Sequence, residues 1–249
     1  VGIQQLGGFS LYLGREEVGM GSREPISDVA KVLSGYVDCI VARVFQHQNL
    51  VELARSATVP VINALSDWEH PCQTMADLLT IYEHKGELDR LTLAYIGDGN
   101  NVARSLCLAL PGLGMNFISA SPNGYNLDLE SVELARLRTN GSEAFVRTTI
   151  SPTEAVACAD VVYTDVWASM GEKEKIKERE QLLFGFQINR DLLNLSSPDS
   201  LVMHCLPANR EREITAEVMD GPRSIVYDQA ENRLHAQKAI LAQLERWRN

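Results

Sequence analysis

The stretch LTLAYIGDGNNVARS, Leu91–Ser105, decides the fold. It opens as an apolar run of strand length, breaks at Gly97-Asp98-Gly99, and resumes as a helix-length segment. A strand ending in a glycine-containing turn before a helix is the repeating unit of a parallel α/β sheet. Runs of the same kind recur on either side: VDCIVAR from Val37, VPVIN from Val59, MNFIS from Met115, DVVYTD from Asp160, SLVMHC from Ser200 and SIVYD from Ser224. Alternation of such strands with helix-length segments predicts an α/β fold whose parallel sheets are covered on both faces.

PCQTMADLLTIYEH, Pro71 to His84, reads as a helix with Pro71 in its first turn and apolar Met75, Leu78, Leu79 and Tyr82. The polar KGELDR that follows, Lys85 to Arg90, marks a domain boundary, and Leu91 opens a fresh strand-helix series running to about residue 230. A final helix is expected over Ala230 to Trp247. The charged EKEKIKERE, Glu172 to Glu180, reads as a solvated helix face.

With 249 residues, 45% of them hydrophobic, the chain can bury a sizeable core. Its formal net charge of -10 argues against nucleic acid and anionic membranes as partners, because a phosphate polymer needs a concentrated basic face. No apolar stretch has the length of a membrane-spanning helix and no signal peptide is visible, so a cytoplasmic or stromal compartment is expected. The five cysteines (Cys39, Cys72, Cys107, Cys158, Cys205) are odd in number and never in C-x-x-C spacing, which predicts reduced thiols, no disulfide framework and no zinc knuckle. Val1 stands where an intact reading frame starts with Met, which reads as a fragment or processed form.

Five stretches carry residues suited to chemistry. In IGDGNNVARS the third position of a G-x-G-x-x-G pattern is Val102, and no carboxylate follows the strand from Met115, so a nicotinamide cofactor is not expected. Asp98, Asn100 and Asn101 still fall at the carboxyl ends of parallel strands, where α/β sheets bind ligands, although a turn-and-cap role explains them equally. SDWEHPCQ places His70 and Gln73 at a helix start, where free NH groups favour an anion or a polarised carbonyl oxygen. TDVWASMG puts Asp165 at a strand end before Ser169-Met170-Gly171. SLVMHCLPANR, Ser200 to Arg210, offers His204-Cys205 as a nucleophile with its base, half a metal site or strand-end punctuation. The last is Glu231-Asn232-Arg233 at the mouth of the final helix.

Taken together and in order, HPCQ, GDGNN, DVWASMG, HCLP and ENR resemble the transcarbamoylase family, in its ornithine branch, over essentially the whole chain. The resemblance implies two doubly wound parallel-sheet domains: 1–84, completed by a C-terminal helix at 231–249, for carbamoyl phosphate, and 85–230 for L-ornithine. By matching position, His70 and Gln73 would hold the carbamoyl group, with Arg43 and Arg233 on its phosphate or carbonyl oxygen. Asn101, Asp165, Ser169 and Met170 would hold the amino-acid end of ornithine, while Cys205 and Leu206 would line the pocket at the reacting amine. Family members are commonly trimers, so a homotrimer is expected, with no cofactor and no metal. The family's Ser-Thr-Arg-Thr-Arg phosphate loop does not occur in the sequence. VGIQQLGG at the N-terminus resembles the helix that follows that loop, so the first domain is expected to be truncated.

The reaction implied is attack by the neutral δ-amine of ornithine on carbamoyl phosphate, giving citrulline and phosphate without a covalent enzyme intermediate. With a lysine-like pKa near about 10.4, only roughly one amine in a thousand is neutral near pH 7.5, so the site must favour the free base. Closure of the Ser169-Met170-Gly171 loop is expected to do so by excluding water. Cys205 is expected to line the substrate rather than act as a nucleophile. Two other readings are a carbamoyltransferase for another amine, such as putrescine or N-acetylornithine, and an incompetent chain that only binds an amino acid or assembles with related subunits.

Overall fold

The computed structural model describes residues 1–139, 141–167 and 176–248. The chain forms two compact units, one of Val1–Met75 with Arg233–Asn249 and one of Ala76–Asn232.

The first unit carries strands β1 (Ile40–Arg43) and β2 (Val61–Leu65), paired in parallel. Helices Ile26–Ser34 and His47–Ser56 pack with them through Ile26, Ala30, Leu50 and Leu53 against Ile40 and Ala42. The alternating burial of β1, with Ile40 and Ala42 inward, leaves Arg43 exposed at its carboxyl end.

The second unit is built on five parallel strands: β3 (Thr92–Ile96), β4 (Asn116–Ala120), β5 (Val146–Thr149), β6 (Val161–Thr164) and β7 (Leu201–His204). Their order is β5-β4-β3-β6-β7. The chain therefore winds outward from β3 in one direction, then returns to β6 on its other side, and β3 and β6 flank the topological switch point. A ligand crevice opens at such a point, outside the carboxyl ends of the strands. Every residue of β3 and β6 is buried, as central strands covered on both faces must be. Tyr95 and Tyr163, opposite each other in the β3–β6 register, stack with ring centroids 5.8 Å apart.

The structure departs from the sequence reading at four points. SIVYD is not a strand: Ser224 makes a single bridge to Val202, and Val226 already begins the helix Val226–Arg248. That helix starts four residues before the expected Ala230, so Glu231, Asn232 and Arg233 lie within its second turn and not at its mouth. FVRTT supplies β5, which went unread because only Val146 of its four residues is buried. In helix Pro71–Lys85, Met75 and Tyr82 are exposed, whereas Gln73, Ala76, Asp77, Thr80 and Ile81 are fully buried. Leu78 of the apolar set is buried in the core, and polar Asp77 and Thr80, with hydrogen-bond partners, share the inner surface with it.

One local device anchors the second unit's helices. Asp128 caps helix Leu129–Leu137 by accepting from Ser131 N at 2.8 Å, and its other oxygen takes Arg104 Nε at 3.0 Å and Nη2 at 2.8 Å. These bonds hold its carboxyl below the ordinary range although burial opposes them. Asp128→Ala removes a cap and the carboxylate partner of a buried guanidinium, and a loss of about 2 kcal/mol in urea unfolding is expected. A loss under about 0.5 kcal/mol, the range of ordinary surface changes, would contradict this account.

Candidate functional site

The GDGNN turn leaves β3 with Gly97 at φ 137, a conformation that disfavours any side chain. Gly99 is required for a different reason: a Cβ there would meet Leu127 N at 2.5 Å and Asn126 C at 2.7 Å. The two glycines thus serve the turn and its close packing. Asn100 then caps helix Asn101–Ala109, its Oδ1 accepting from Val102 N at 3.0 Å and Ala103 N at 3.1 Å.

At the end of β6, Asp165 is 8% exposed. Its Oδ2 accepts from Asn100 Nδ2 at 2.7 Å; its Oδ1 accepts from Val166 N at 2.8 Å and from Cys205 Sγ at 3.0 Å. The fold thereby joins three of the stretches singled out in the sequence, with Asp165 and Cys205 forty residues apart in the chain. A fixed, buried carboxylate at the switch point is suited to a cationic group, because a low-dielectric setting strengthens the pairing. Leu206, with φ 58, follows Cys205 and is half-buried. Asn101 opens the capped helix beside Asn100. Ser169 and Met170 lie outside the described residues.

The donor atoms of Asp165, His204 and Cys205 all fall within 4.8 Å of one another. His204, fully buried, accepts Leu206 N at Nδ1 (2.9 Å), and its Nε2 faces Glu213 Oε1 at 3.3 Å. With Nδ1 an acceptor, the ring proton sits on Nε2 and points to Glu213. Neither nitrogen offers a lone pair to a metal or takes a proton from Cys205, whose thiol donates to Asp165 instead. HCLP is therefore neither a Cys-His nucleophile pair nor half a metal site in this arrangement. His204 and Glu213 shape the chain behind Cys205, a role that no local sequence signal marks.

In the first unit, His70 precedes helix Pro71–Lys85, and its carbonyl accepts from Gln73 N and Thr74 N. Its side chain is 5% exposed, and Gln73 is fully buried. Gln237 Nε2 donates to the Cys72 carbonyl at 2.7 Å, tying the C-terminal helix to this turn. Arg233, one helical turn earlier on the same face, is thereby brought near His70. Burial, then Arg233, then Arg43 lower the His70 pKa from 6.5 to about 4. The imidazole is neutral at pH 7 and can donate a hydrogen bond without carrying charge, among two arginines suited to an anion. Arg179, read as part of a solvated face, is instead mostly buried, 3.5 Å from Asp98 and over the Tyr125 ring.

A sheet with a buried carboxylate at its switch point, in a chain whose other unit offers a neutral imidazole and two arginines, suits a transferase acting on an amine and an anionic donor. The comparisons agree with that class. Residues 1–83 match the family model described as the carbamoyl-P binding domain of aspartate/ornithine carbamoyltransferase, and residues 89–244 match its Asp/Orn binding domain. An ornithine carbamoyltransferase of Thermococcus kodakarensis is 50% identical over 242 residues, covering 97% of this chain and 77% of the relative. One of Anoxybacillus flavithermus is 51% identical over 244 residues, covering 98% and 78%. The solved ornithine carbamoyltransferase of Pyrococcus furiosus superposes with a TM-score of 0.94 at 48% identity, covering 97% of this chain and 77% of that one. The chain belongs to the aspartate/ornithine carbamoyltransferase family.

The depressed His70 pKa has a consequence for stability. A histidine at about 4 folded and 6.5 unfolded contributes stability that is present above pH 6.5 and is lost as pH falls toward 4. Between pH 7 and 4.5 this histidine accounts for a loss of about 2 kcal/mol. His70→Asn lacks that component, so its urea-unfolding free energy is expected to fall by about 2 kcal/mol less than the parent's over the same interval. Equal losses in both would show that His70 is not held neutral.

Proposed function

We propose that the chain transfers the carbamoyl group of carbamoyl phosphate to the δ-amine of L-ornithine, giving citrulline and phosphate in arginine biosynthesis. The observation that carries this reading is the Asp165 carboxylate, buried at the switch point and fixed by Asn100 and Cys205. It pairs with the α-ammonium of an amino acid, while Asn101, Ser169 and Met170 hold the rest of the amino-acid end and Leu206 lines the pocket. The relatives' names supply the identity of that amino acid.

In this mechanism neutral His70 and Gln73 hold the carbamoyl group, and His70 donates to the carbonyl oxygen as negative charge develops there. Arg43 and Arg233 neutralise phosphate and its departure. Ornithine binds with its α-ammonium on Asp165, and its δ-amine gives up a proton before attack, because only the free base has a lone pair for the carbonyl carbon. The C–N bond forms, the tetrahedral species passes the second amine proton to an oxygen of the phosphate, and the C–O bond breaks to release hydrogen phosphate. Cys205 takes no covalent part: its S–H is directed at Asp165 and its sulfur lies against the amine. No cofactor or metal enters.

We assign carbamoyl phosphate to residues 1–84 with 231–249 and ornithine to 85–230; the family-model matches over 1–83 and 89–244 support the division near residue 85, and the grouping of Arg233–Asn249 with Val1–Met75 supports the return of the C-terminal helix to the first unit. We also propose a homotrimer, supported by exposed Leu6, Phe9, Leu11 and Tyr12 in one short stretch, and a cytoplasmic location. Among the described residues no helix is long and apolar enough to cross a membrane. The chain spans about 77% of the relatives' length, and a Ser-Thr-Arg-Thr-Arg loop does not occur in the sequence. Turnover therefore tests whether His70, Gln73, Arg43 and Arg233 suffice for carbamoyl phosphate.

Citrulline production from carbamoyl phosphate and ornithine is expected, with kcat/KM for ornithine at least about 100-fold above that for putrescine, since putrescine leaves Asp165 without an ammonium at the α position. Preference for putrescine would reassign the substrate. No turnover, with no thermal stabilisation by a carbamoyl phosphate–ornithine bisubstrate analogue, would favour the incompetent reading. Cys205→Ala is expected to lose about 10- to 100-fold in kcat/KM for ornithine yet turn over. Complete loss, with a thioester trapped on the parent, would restore a nucleophilic role.

A further inference from the structure

We propose that Asn100 is a positioning residue whose side chain sets the Asp165–Cys205 pair in the orientation that receives ornithine. The inference rests on the reading that Asp165 holds the α-ammonium, and it deepens that site.

Capping alone does not explain asparagine here, since serine, aspartate and asparagine cap comparably. What distinguishes Asn100 is that both ends of its amide are committed. Oδ1 accepts from Val102 N, Ala103 N and Tyr95 Oη, the last at 3.1 Å. Three donors on one oxygen fix which end of the amide is which. The NH2 end is therefore directed at Asp165 Oδ2, 2.7 Å away. Serine has no NH2 end, its one O–H sitting on the capping oxygen itself and a bond further back from Asp165, and aspartate would place an acceptor against an acceptor.

The amide also belongs to a closed circuit of buried groups. Tyr95, which donates to Asn100, stacks on Tyr163. Tyr163 Oη donates to Asp77 Oδ2 at 3.1 Å and accepts from Gln229 Nε2 at 3.0 Å; Gln229 Nε2 also reaches Asp77 Oδ1 at 2.7 Å. Gln229 Oε1 accepts His204 N at 2.9 Å, immediately before Cys205, whose thiol returns to Asp165. Tyr95, Tyr163, Asp77 and Gln229 are all fully buried. The circuit holds both members of the pair: Asn100 from the β3 turn grips Asp165, and Gln229 grips the backbone leading to Cys205. Buried networks in which each polar group is satisfied are rigid, and rigid support is what a binding carboxylate needs.

The test uses Asn100→Ser and Asn100→Asp, each of which keeps a capping oxygen and removes the amide NH2 that donates to Asp165. At pH 8 at least one of them is expected to raise KM for ornithine about tenfold or more, with KM for carbamoyl phosphate within about twofold of the parent. For Asn100→Asp, two carboxylates in contact cannot both ionise, so one takes a proton and donates as pH falls; its KM relative to the parent is then expected to shrink at pH 6. A cap serving the helix alone would give no such pH-dependent recovery. Alkylation of Cys205 by iodoacetamide, quantified on its own peptide, is expected to quicken about threefold or more in Asn100→Ser, because a released Asp165 no longer holds the thiol proton. This readout needs no ornithine, so it separates failure of the positioning role from failure of the substrate reading, which a parent without ornithine saturation would reveal. KM for ornithine within twofold of the parent in both variants, with unchanged alkylation, would overturn the proposal.

Discussion

The hydrogen bond from Asn100 Nδ2 to Asp165 Oδ2, 2.7 Å long, joins the carboxyl ends of the two strands that flank the switch point of the larger sheet. One side chain ends β3's turn, starts the following helix and grips the carboxylate at the end of β6. The turn needs Gly97 for its φ and Gly99 for its approach to Asn126 and Leu127, so the glycines serve the asparagine's placement and not a pyrophosphate. The chemistry proposed for the second unit depends on this placement. A carboxylate free to rotate would pair with an ammonium at a larger entropic cost.

The first unit meets the complementary demand. An imidazole that is to donate a hydrogen bond to a carbonyl oxygen, among groups that attract phosphate, must not itself be protonated away from its role. Burial supplies most of that control at His70, and Arg233 and Arg43 add to it. Gln237, by reaching the Cys72 carbonyl, brings the arginine-bearing face of the C-terminal helix to the turn. Here the far end of the sequence is tied to the turn that follows residue 70.

Much of this was legible in the residues themselves. Strand-length apolar runs gave six of the parallel strands, and GDGNN, DVWASMG and HCLP are the stretches from which the second unit brings Asn100, Asp165 and Cys205 together. What escaped did so for physical reasons. β5 lies at the sheet edge with one buried side chain, so it has no apolar run to read. Ser224 and Ile225 touch β7 for a single bridge before the helix takes over. In helix Pro71–Lys85, buried Asp77 and Thr80 defeat apolar periodicity because hydrogen bonds offset their burial. The His204–Glu213 pairing and the Gln229 link to the His204 backbone are tertiary contacts across buried space, and no spacing announces them. Adjacency in HCLP suggested a Cys-His pair; the folded chain turns the thiol to Asp165 and the imidazole to Glu213.

The central claim is that Asp165, held by Asn100 and Cys205, receives the α-ammonium of ornithine. A crystal structure of the chain with a carbamoyl phosphate–ornithine bisubstrate analogue tests it most directly. The account predicts the analogue's α-ammonium nitrogen at about 2.7–3.0 Å from an Asp165 carboxylate oxygen, with the Asn100 bond intact. An α-ammonium seated elsewhere, with Asp165 facing the reacting nitrogen instead, would contradict it.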